Sequence, residues 1–420
     1  MDKNSATKVI ESLRSGLPPI KGVNAYSVGN EKLIEGIKKF HLNSIGEKGT
    51  IRFISGSWGS GKTHFFRLFR EVAFENNCLV SNVQLNADDA ALNKFERVFY
   101  SIIRNIATPS YFEEGASSEI APFGRVLKES LAFLSRGNTS TESGFSYEDF
   151  VKAREALMVD RSIDIDFRKM VEKYWETFLP ESPDPAIQEQ NRAEILQWFS
   201  GEGSKSFYGK RFGVNKIVSK DNAKLMLQSL AGFIKLASYR GLVILFDEAE
   251  QAYSIMRKSS LKDAHNNLLS LINNIEALSG LFLIYATTPD FFNDPKHGII
   301  IYGALSGRIG KPESRQPKAL DKIWNFDEVV IGPEDYQDAA GKIRQIYAVA
   351  YPEAEAELPS HQKVESFVKD LFSEHSEYAG VRFWRVMVTA LVAYFDDCQE
   401  GEERTVEEIY DNIMGRLREE

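Results

Sequence analysis

The stretch Thr50-Ile51-Arg52-Phe53-Ile54-Ser55-Gly56-Ser57-Trp58-Gly59-Ser60-Gly61-Lys62-Thr63 decides the fold. Its first half is a short apolar run rich in β-branched residues, which predicts a strand. Its second half is rich in glycine, and the residues that follow, up to Glu75, place apolar side chains at helical spacing. A strand, a glycine-rich turn and a helix in this order begin a βαβ unit. The sequence therefore predicts an α/β protein with a parallel sheet.

The glycine-rich turn matches the pattern G-x-x-x-x-G-K-[ST] at every fixed position. Such a loop curls its backbone N–H groups around phosphate oxygens, and it needs glycines because the conformations are strained for other residues. We expect Lys62 to reach the β- and γ-phosphates of ATP and Thr63 to bind Mg²⁺. An incidental Lys-Thr pair after a turn is the alternative, which the flanking strand and helix disfavour. The candidate nucleotide-binding residues are Gly56, Ser57, Trp58, Gly59, Ser60, Gly61, Lys62, Thr63 and His64, although His64 could instead pack or face solvent.

A second motif lies far along the chain, where the apolar run Leu242–Phe246 ends in Asp247 and Glu248. At the carboxyl edge of a parallel sheet such side chains enter the ligand crevice. Asp247 is placed to hold Mg²⁺, and Glu248 to polarise the water that attacks the γ-phosphate. The alternative is that the two acids only begin a helix, where negative charge is favoured. If the motifs belong together, the loop at 56–63 and the acids must meet around one triphosphate–metal complex.

The remaining chain predicts the domain organisation. Apolar runs without alternation suit a sheet covered on both faces, and we predict five parallel strands: Thr50–Ser55, Leu79–Leu85, Gly241–Phe246, Leu281–Ala286 and Phe326–Ile331. Between the second and third strands the pattern is helical, and beyond Gly332 it is entirely helical. The predicted boundaries are residues 1–107 and 222–333 for the two halves of the core, 108–221 for an insertion and 334–420 for a C-terminal helical domain.

The end of the insertion carries basic residues interleaved with aromatic ones. Such a pattern suits nucleic-acid single strands or phosphate backbones, whereas the alternative is a solvated loop with packed aromatic side chains. The formal net charge of the chain is −9, which favours the second interpretation. The residues concerned are Lys205, Phe207, Tyr208, Lys210, Arg211, Phe212, Lys216 and Lys220.

Composition limits the class of protein. The two cysteines, Cys78 and Cys398, show no metal or disulfide spacing, so we expect reduced thiols. No apolar run approaches the roughly 20 residues that span a bilayer. The first ten residues lack the basic and apolar stretches of a signal peptide. We therefore expect a soluble cytoplasmic protein that does not bind a membrane.

These motifs together resemble the AAA+ ATPases, in particular the origin-recognition initiator and STAND groups. The resemblance implies an AAA+ P-loop NTPase core with a five-stranded parallel sheet, a large helical insertion and a C-terminal helical lid. It also implies that Val28 and Gly29, within Tyr26–Glu31, lie over the adenine base, although Asn30 could instead be a helix N-cap. Thr288, or else Thr287, is similar to the sensor residue that contacts the γ-phosphate.

Two arginine roles follow from the same resemblance. Arg308 is similar to the arginine finger that acts on a neighbouring subunit, with Arg315 as the alternative and an ordinary surface arginine as the other interpretation. Arg382 is similar to the lid arginine that points back at the nucleotide, with Arg385 as its rival. A finger acting between subunits implies a homo-oligomer.

At finer resolution the chain resembles the BrxD family of ATP-binding proteins from BREX phage-resistance systems. The stretches that carry the resemblance are Ile10–Pro19, Gly59–Phe65, Ile195–Glu202 and Tyr239–Glu250. The resemblance implies an ATPase with Mg²⁺ as its cofactor, acting in antiviral defence beside other BREX components and with DNA as an open further partner. A remodelling motor, a nucleotide-dependent assembly switch and a scaffold without turnover compete, and the intact pair Asp247–Glu248 disfavours the scaffold.

Overall fold

Six strands form one sheet in the computed structural model, which describes residues 1–86, 90–113, 122–180, 184–250, 257–379 and 383–419. The sheet has the strand order β3-β2-β4-β5-β1-β6, and the protein is a mixed α/β fold. The strands are β1 (Thr50–Ser55), β2 (Leu79–Gln84), β3 (Ile106–Ala107), β4 (Leu242–Asp247), β5 (Leu281–Thr287) and β6 (Ile323–Asn325).

Helices account for most of the remaining described chain. They are α1 (Lys3–Arg14), α2 (Glu31–Ile37), α3 (Lys62–Glu75), α4 (Phe95–Asn105), α5 (Pro109–Glu113), α6 (Pro122–Arg136), α7 (Tyr147–Val159), α8 (Ile165–Glu176), α9 (Pro185–Phe199), α10 (Lys205–Phe212), α11 (Ala223–Leu236), α12 (Lys258–Asn274), α13 (Asp290–Asn293), α14 (Gly303–Ile309), α15 (Pro333–Ala350), α16 (His361–Ala379), α17 (Phe383–Glu400) and α18 (Val406–Glu419).

The centre of the sheet is parallel, as predicted. β4 runs parallel to β2, with Gln84 opposite Asp247, and parallel to β5, with Phe246 opposite Tyr285. Every residue of β5 is buried, and β4 is buried from Leu242 to Phe246. Continuous apolar strands of this kind are expected where both faces of a sheet are covered.

The predicted sheet of five parallel strands is wrong in two places. The two-residue strand β3 was not predicted, and it pairs antiparallel with β2; two residues directly after a helix leave no periodic signal. The last strand was predicted at Phe326–Ile331 but lies at Ile323–Asn325, and Phe326–Glu328 forms a 3₁₀ turn. A strand of three residues is too short for its apolar pattern to separate it from the turn that follows.

The chain divides into two compact units. The first, which we call the loop unit, consists of Met1–Gly36, Ser55–Val72 and Pro312–Glu420. The second, which we call the strand unit, consists of Ile37–Ile54 and Ala73–Lys311.

Within the loop unit, the N-terminal helix packs among the C-terminal helices. α1 contacts α15 and α17. Arg14 at its end donates to both carboxylate oxygens of Asp396, at 2.9 and 2.8 Å, and the hydroxyl of Tyr347 donates to the same carboxylate at 2.7 Å. Hydrogen bonding to Asp396 raises the pKa of the Arg14 guanidinium.

Within the strand unit, the described residues between Thr108 and Asp221 form helices α5–α10 and the turns between them. A buried carboxylate ties them to the chain that enters β4, because Glu129 accepts from the Tyr239 hydroxyl at 2.5 Å and from Nε of Arg125 at 2.7 Å. Burial and the neighbouring Glu129 raise the pKa of Tyr239.

The basic and aromatic segment at the end of the insertion is largely packed. Tyr208 is 1% exposed and Phe212 is 8% exposed, whereas Phe207 is on the surface. Arg211 pairs with Glu194 at 3.0 Å and Lys216 with Asp164 at 3.2 Å. These contacts correspond to the packed-aromatic interpretation.

No helix of the described chain combines the length and the apolar character needed to cross a membrane.

Both cysteines are free thiols, and burial raises the pKa of Cys78 to about 12.

Candidate functional site

The glycine-rich loop lies in the loop unit and is curled around a lysine. Gly59 and Gly61 have φ angles of +85° and +88°, which favour glycine because a Cβ would strain the backbone. The Nζ atom of Lys62 donates to the carbonyl oxygens of Gly56 at 2.6 Å and Ser57 at 3.0 Å. The loop ends where α3 begins, so the positive end of a 14-residue helix faces the turn. This geometry places a cation and a helix N-terminus at one anion-binding turn.

The start of the loop is held by the turn that follows β6. The backbone N–H of Ser57 donates to Oδ1 of Asp327 at 2.8 Å, and the Ser57 hydroxyl donates to Oδ2 at 3.1 Å. A Cβ on Gly56 would overlap the Ser60 hydroxyl and come within 3.1 Å of the Cβ of Phe326. Glycine is therefore required at position 56 by close packing, and Asp327 is a supporting residue that the sequence analysis missed.

The segment predicted to lie over the base is also in the loop unit. Tyr26 is fully buried, Val28 is 4% exposed, and Gly29 has a φ angle of +79°. The ring of Tyr26 stacks on Trp384 of α17, with 6.2 Å between ring centroids. This segment therefore packs against the first turn of α17.

His64 joins the same segment to the start of α3. Its Nε2 lies 2.8 Å from the hydroxyl oxygen of Ser27, which itself donates to the carbonyl oxygen of Val23 at 2.9 Å. Because the hydroxyl proton is used on Val23, Nε2 of His64 carries the proton in this contact. Burial, with a smaller effect of the Arg67 charge, lowers the pKa of His64 to about 4. The imidazole is thus neutral near pH 7, and its side chain packs against Tyr26 and Trp384.

The acidic pair lies in the strand unit at the carboxyl end of β4. Asp247 is the last residue of the strand, and its Oδ1 accepts from the backbone N–H of Glu248 at 3.0 Å. Glu248 has a φ angle of +53°, which a non-glycine residue adopts at a cost of about 1–3 kcal/mol.

Gln84, at the end of β2, completes the surroundings of Glu248. Its side-chain amide donates to Oε2 of Glu248, and the backbone N–H of Leu85 donates to the carbonyl of Asp247 at 2.9 Å. Sequence reasoning missed Gln84, although a polar residue ending an apolar strand was a usable signal. The neighbouring strand therefore orients the carboxylate predicted to act on water.

The sensor candidates lie at the end of β5, which pairs with β4 on the side opposite β2. Because β4 and β5 are parallel neighbours, Thr287 and Thr288 lie at the same edge of the sheet as the acidic pair. Thr287 is fully buried and Thr288 is 5% exposed. Among the described residues, no partner accepts from or donates to the Thr287 hydroxyl.

The arginine candidates differ in their surroundings. Arg308 is exposed near the end of α14, whereas both Nη atoms of Arg315 donate to Asp321 at 2.9 Å. Arg382 lies outside the described residues. Its rival Arg385 packs against the N-terminal segment, since a Cβ on Gly16 would lie 2.9 Å from Arg385 Nε.

The candidate magnesium ligands are suitable in chemical type. Thr63 is exposed and Asp247 is half-buried, and hydroxyl and carboxylate oxygens are the hard donors that Mg²⁺ takes. Among the described residues, no group of three or more His, Cys, Asp or Glu side chains could hold a metal by itself. Mg²⁺ is usually bound by few protein ligands together with substrate phosphates.

Comparison with protein families matches residues 1–414 of the chain to the family described as BREX system ATP-binding protein BrxC/D. The chain belongs to this BREX family. The resemblance found in the sequence is thereby confirmed. No curated protein and no solved structure was found to match the chain.

Family membership and geometry agree on ATP. The matched region includes both the phosphate loop and the acidic pair, and the family description is that of an ATP-binding protein.

Proposed function

We propose that this BREX-family protein binds ATP with Mg²⁺ and hydrolyses it. Lys62 and the loop amides would hold the phosphates, and Glu248 would orient the attacking water. The observation that carries the proposal is the curled loop at the start of α3, in which Gly59 and Gly61 have positive φ and the Lys62 ammonium donates to the carbonyls of Gly56 and Ser57.

Thr63 and Asp247 would hold the magnesium ion. When bound, Mg²⁺ neutralises charge on the phosphate oxygens, which is much of what phosphoryl transfer requires. Both residues offer oxygen atoms, and Asp247 ends a strand at the sheet edge where ligands of α/β proteins bind.

Turnover, as distinct from binding, is supported by the surroundings of Glu248. Its backbone is strained and its carboxylate is engaged by Gln84. Backbone strain kept at a carboxylate that directly follows a buried strand is typical of a reacting site rather than of a scaffold. Thr288, or Thr287, would contact the γ-phosphate.

Arg308 would act on a neighbouring subunit in an assembled state. Its support is that it is exposed near the end of α14. A finger of this type stabilises transition-state charge and is worth about 10³–10⁵ in rate.

Within BREX defence, we propose that ATP turnover drives remodelling of DNA or of a DNA-bound complex. A nucleotide-dependent assembly switch is the alternative. One experiment separates them: the ATPase rate and particle mass are measured together, with and without duplex and single-stranded DNA. Turnover stimulated by DNA supports remodelling, whereas ATP-dependent assembly with no effect of DNA supports the switch. Absence of any ATP binding contradicts both.

A further inference from the structure

Residues 22–27, which lead into the segment predicted to lie over the base, are attached to α3 at two points. The carboxylate of Glu71, on α3, accepts from the backbone N–H groups of Gly22 at 2.6 Å, Val23 at 3.0 Å and Asn24 at 3.0 Å. His64, two turns earlier on α3, binds the Ser27 hydroxyl. Both anchors therefore lie on one face of the helix that begins with Lys62.

The Glu71 attachment is strong because it is charge-assisted and withdrawn from water. Glu71 is 7% exposed, and Oε1 accepts two of the three N–H groups while Oε2 accepts the third. Hydrogen bonds to a charged group are stronger than those between neutral groups. An amide in place of the carboxylate would turn its NH₂ group toward a backbone donor, so this site requires a carboxylate.

The two anchors bracket the segment just ahead of Val28 and Gly29. Ser27, at the second point of attachment, is bound to His64, the residue that follows Thr63. The position of residues 28 and 29 relative to the phosphate loop is thus set by α3, within the loop unit. Tyr26, between the anchors, is fully buried against His64.

We propose that Glu71 and His64 are positioning residues for recognition of the nucleotide base. This inference rests on the proposed function, since it supposes that ATP occupies the loop. In that case residues 56–63 would hold the phosphates, and the base would meet residues 28 and 29, which follow the segment that Glu71 and His64 attach to α3. Loss of an anchor should therefore weaken binding of a nucleoside triphosphate and leave binding of a triphosphate without a base unaltered.

The test compares two probes on the full chain with Mg²⁺: ATP and inorganic tripolyphosphate, by calorimetry. For Glu71→Gln we expect ATP binding to weaken by roughly tenfold or more, the effect of one lost charge-assisted hydrogen bond, with tripolyphosphate binding unchanged. Glu75→Gln is the matched control, because Glu75 is an exposed glutamate one turn later on α3. Ser27→Ala, which removes only one hydroxyl, is a second variant that keeps the test valid if Glu71→Gln does not fold.

Three results would overturn the inference. Equal weakening of both probes would mean that the anchors support the whole loop and not the base. Unchanged ATP binding in Glu71→Gln and Ser27→Ala would mean that the attachment is only structural. If the wild-type protein bound neither probe, the proposed function itself would fail, and this inference with it.

Discussion

The phosphate loop and the acidic pair are built in contrasting ways. In the loop, the lysine contacts carbonyl groups five and six residues before it, and the special backbone angles belong to glycines. In the acidic pair, a glutamate carries the unusual angle, and its side chain is bound by Gln84, 164 residues away. The phosphate loop is thus determined by residues that are close to one another in sequence. The acidic pair is determined by which strands lie side by side.

Lys62→Ala is the change with the largest expected effect, because it removes the cation from the phosphate loop. Wild-type protein should gain about 2.7 kcal/mol of stability at ATP 100-fold above Kd, whereas the variant should gain none. Thermal unfolding with and without Mg·ATP measures this gain. Lys48→Ala, at an exposed lysine, serves as the control and should behave as wild type. An undiminished gain in Lys62→Ala would remove the loop from the proposed site.

Glu248→Gln tests the role of the acidic pair. We expect ATP binding to be retained and turnover to fall by roughly 10²-fold, the usual contribution of a positioned base. A phosphate-release assay at saturating ATP, with binding measured separately, distinguishes the two effects. Turnover at the wild-type rate would refute the role assigned to Glu248.

Gln84→Ala sharpens the claim that the acidic half depends on a neighbouring strand. Losing a hydrogen bond to a charged group should slow turnover by roughly tenfold without altering ATP affinity. The same assay, run beside Asn82→Ala on the exposed side of β2, measures it. A faster variant would show that the amide restrains Glu248 rather than positioning it.

The last expected effect is on stability rather than on binding or turnover. It concerns His64, which is buried behind the phosphate loop, and it depends on pH. The pKa of His64 is lowered from 6.5 to about 4 by burial and by Arg67. Between these values the unfolded chain binds a proton that native His64 does not, so stability falls as the pH falls through this window. At pH 5 this residue should lower the free energy of unfolding by about 2 kcal/mol relative to pH 7.

Denaturant unfolding of wild type and His64→Gln at pH 7 and pH 5 measures that difference. Glutamine does not titrate, so the variant should lose less stability over this range. The variant should keep some pH dependence, because burial lowers the pKa of His265 to about 4 as well. Identical pH dependence in both proteins would contradict the assignment.

Much of the fold was predictable where signals were long or periodic. The strands β1, β2, β4 and β5 lie within a residue of their predicted ends, since apolar runs bounded by glycine or acids are clear signals. The short strands β3 and β6 were missed or displaced. They have two and three residues, and pairing partners rather than their own sequence make them strands.

The supporting residues of the candidate site could not be predicted in the same way. Glu71 is one acid among many on helices, and only the structure shows that three backbone N–H groups meet its carboxylate. Gln84 and Asp327 likewise act through residues distant in sequence. Spacing along a chain carries no record of such contacts unless a local motif requires them.

The sequence by itself determined the phosphate loop, the acidic end of β4 and the family, because each depends on residues that are contiguous or spaced by a local rule. Tertiary structure decided which side chains hold those elements in place: Asp327 for the start of the loop, Gln84 for Glu248, and Glu71 with His64 for the segment before Val28. The physical reason is that a hydrogen bond depends on distance in space, and folding alone brings these atoms within about 3 Å of one another.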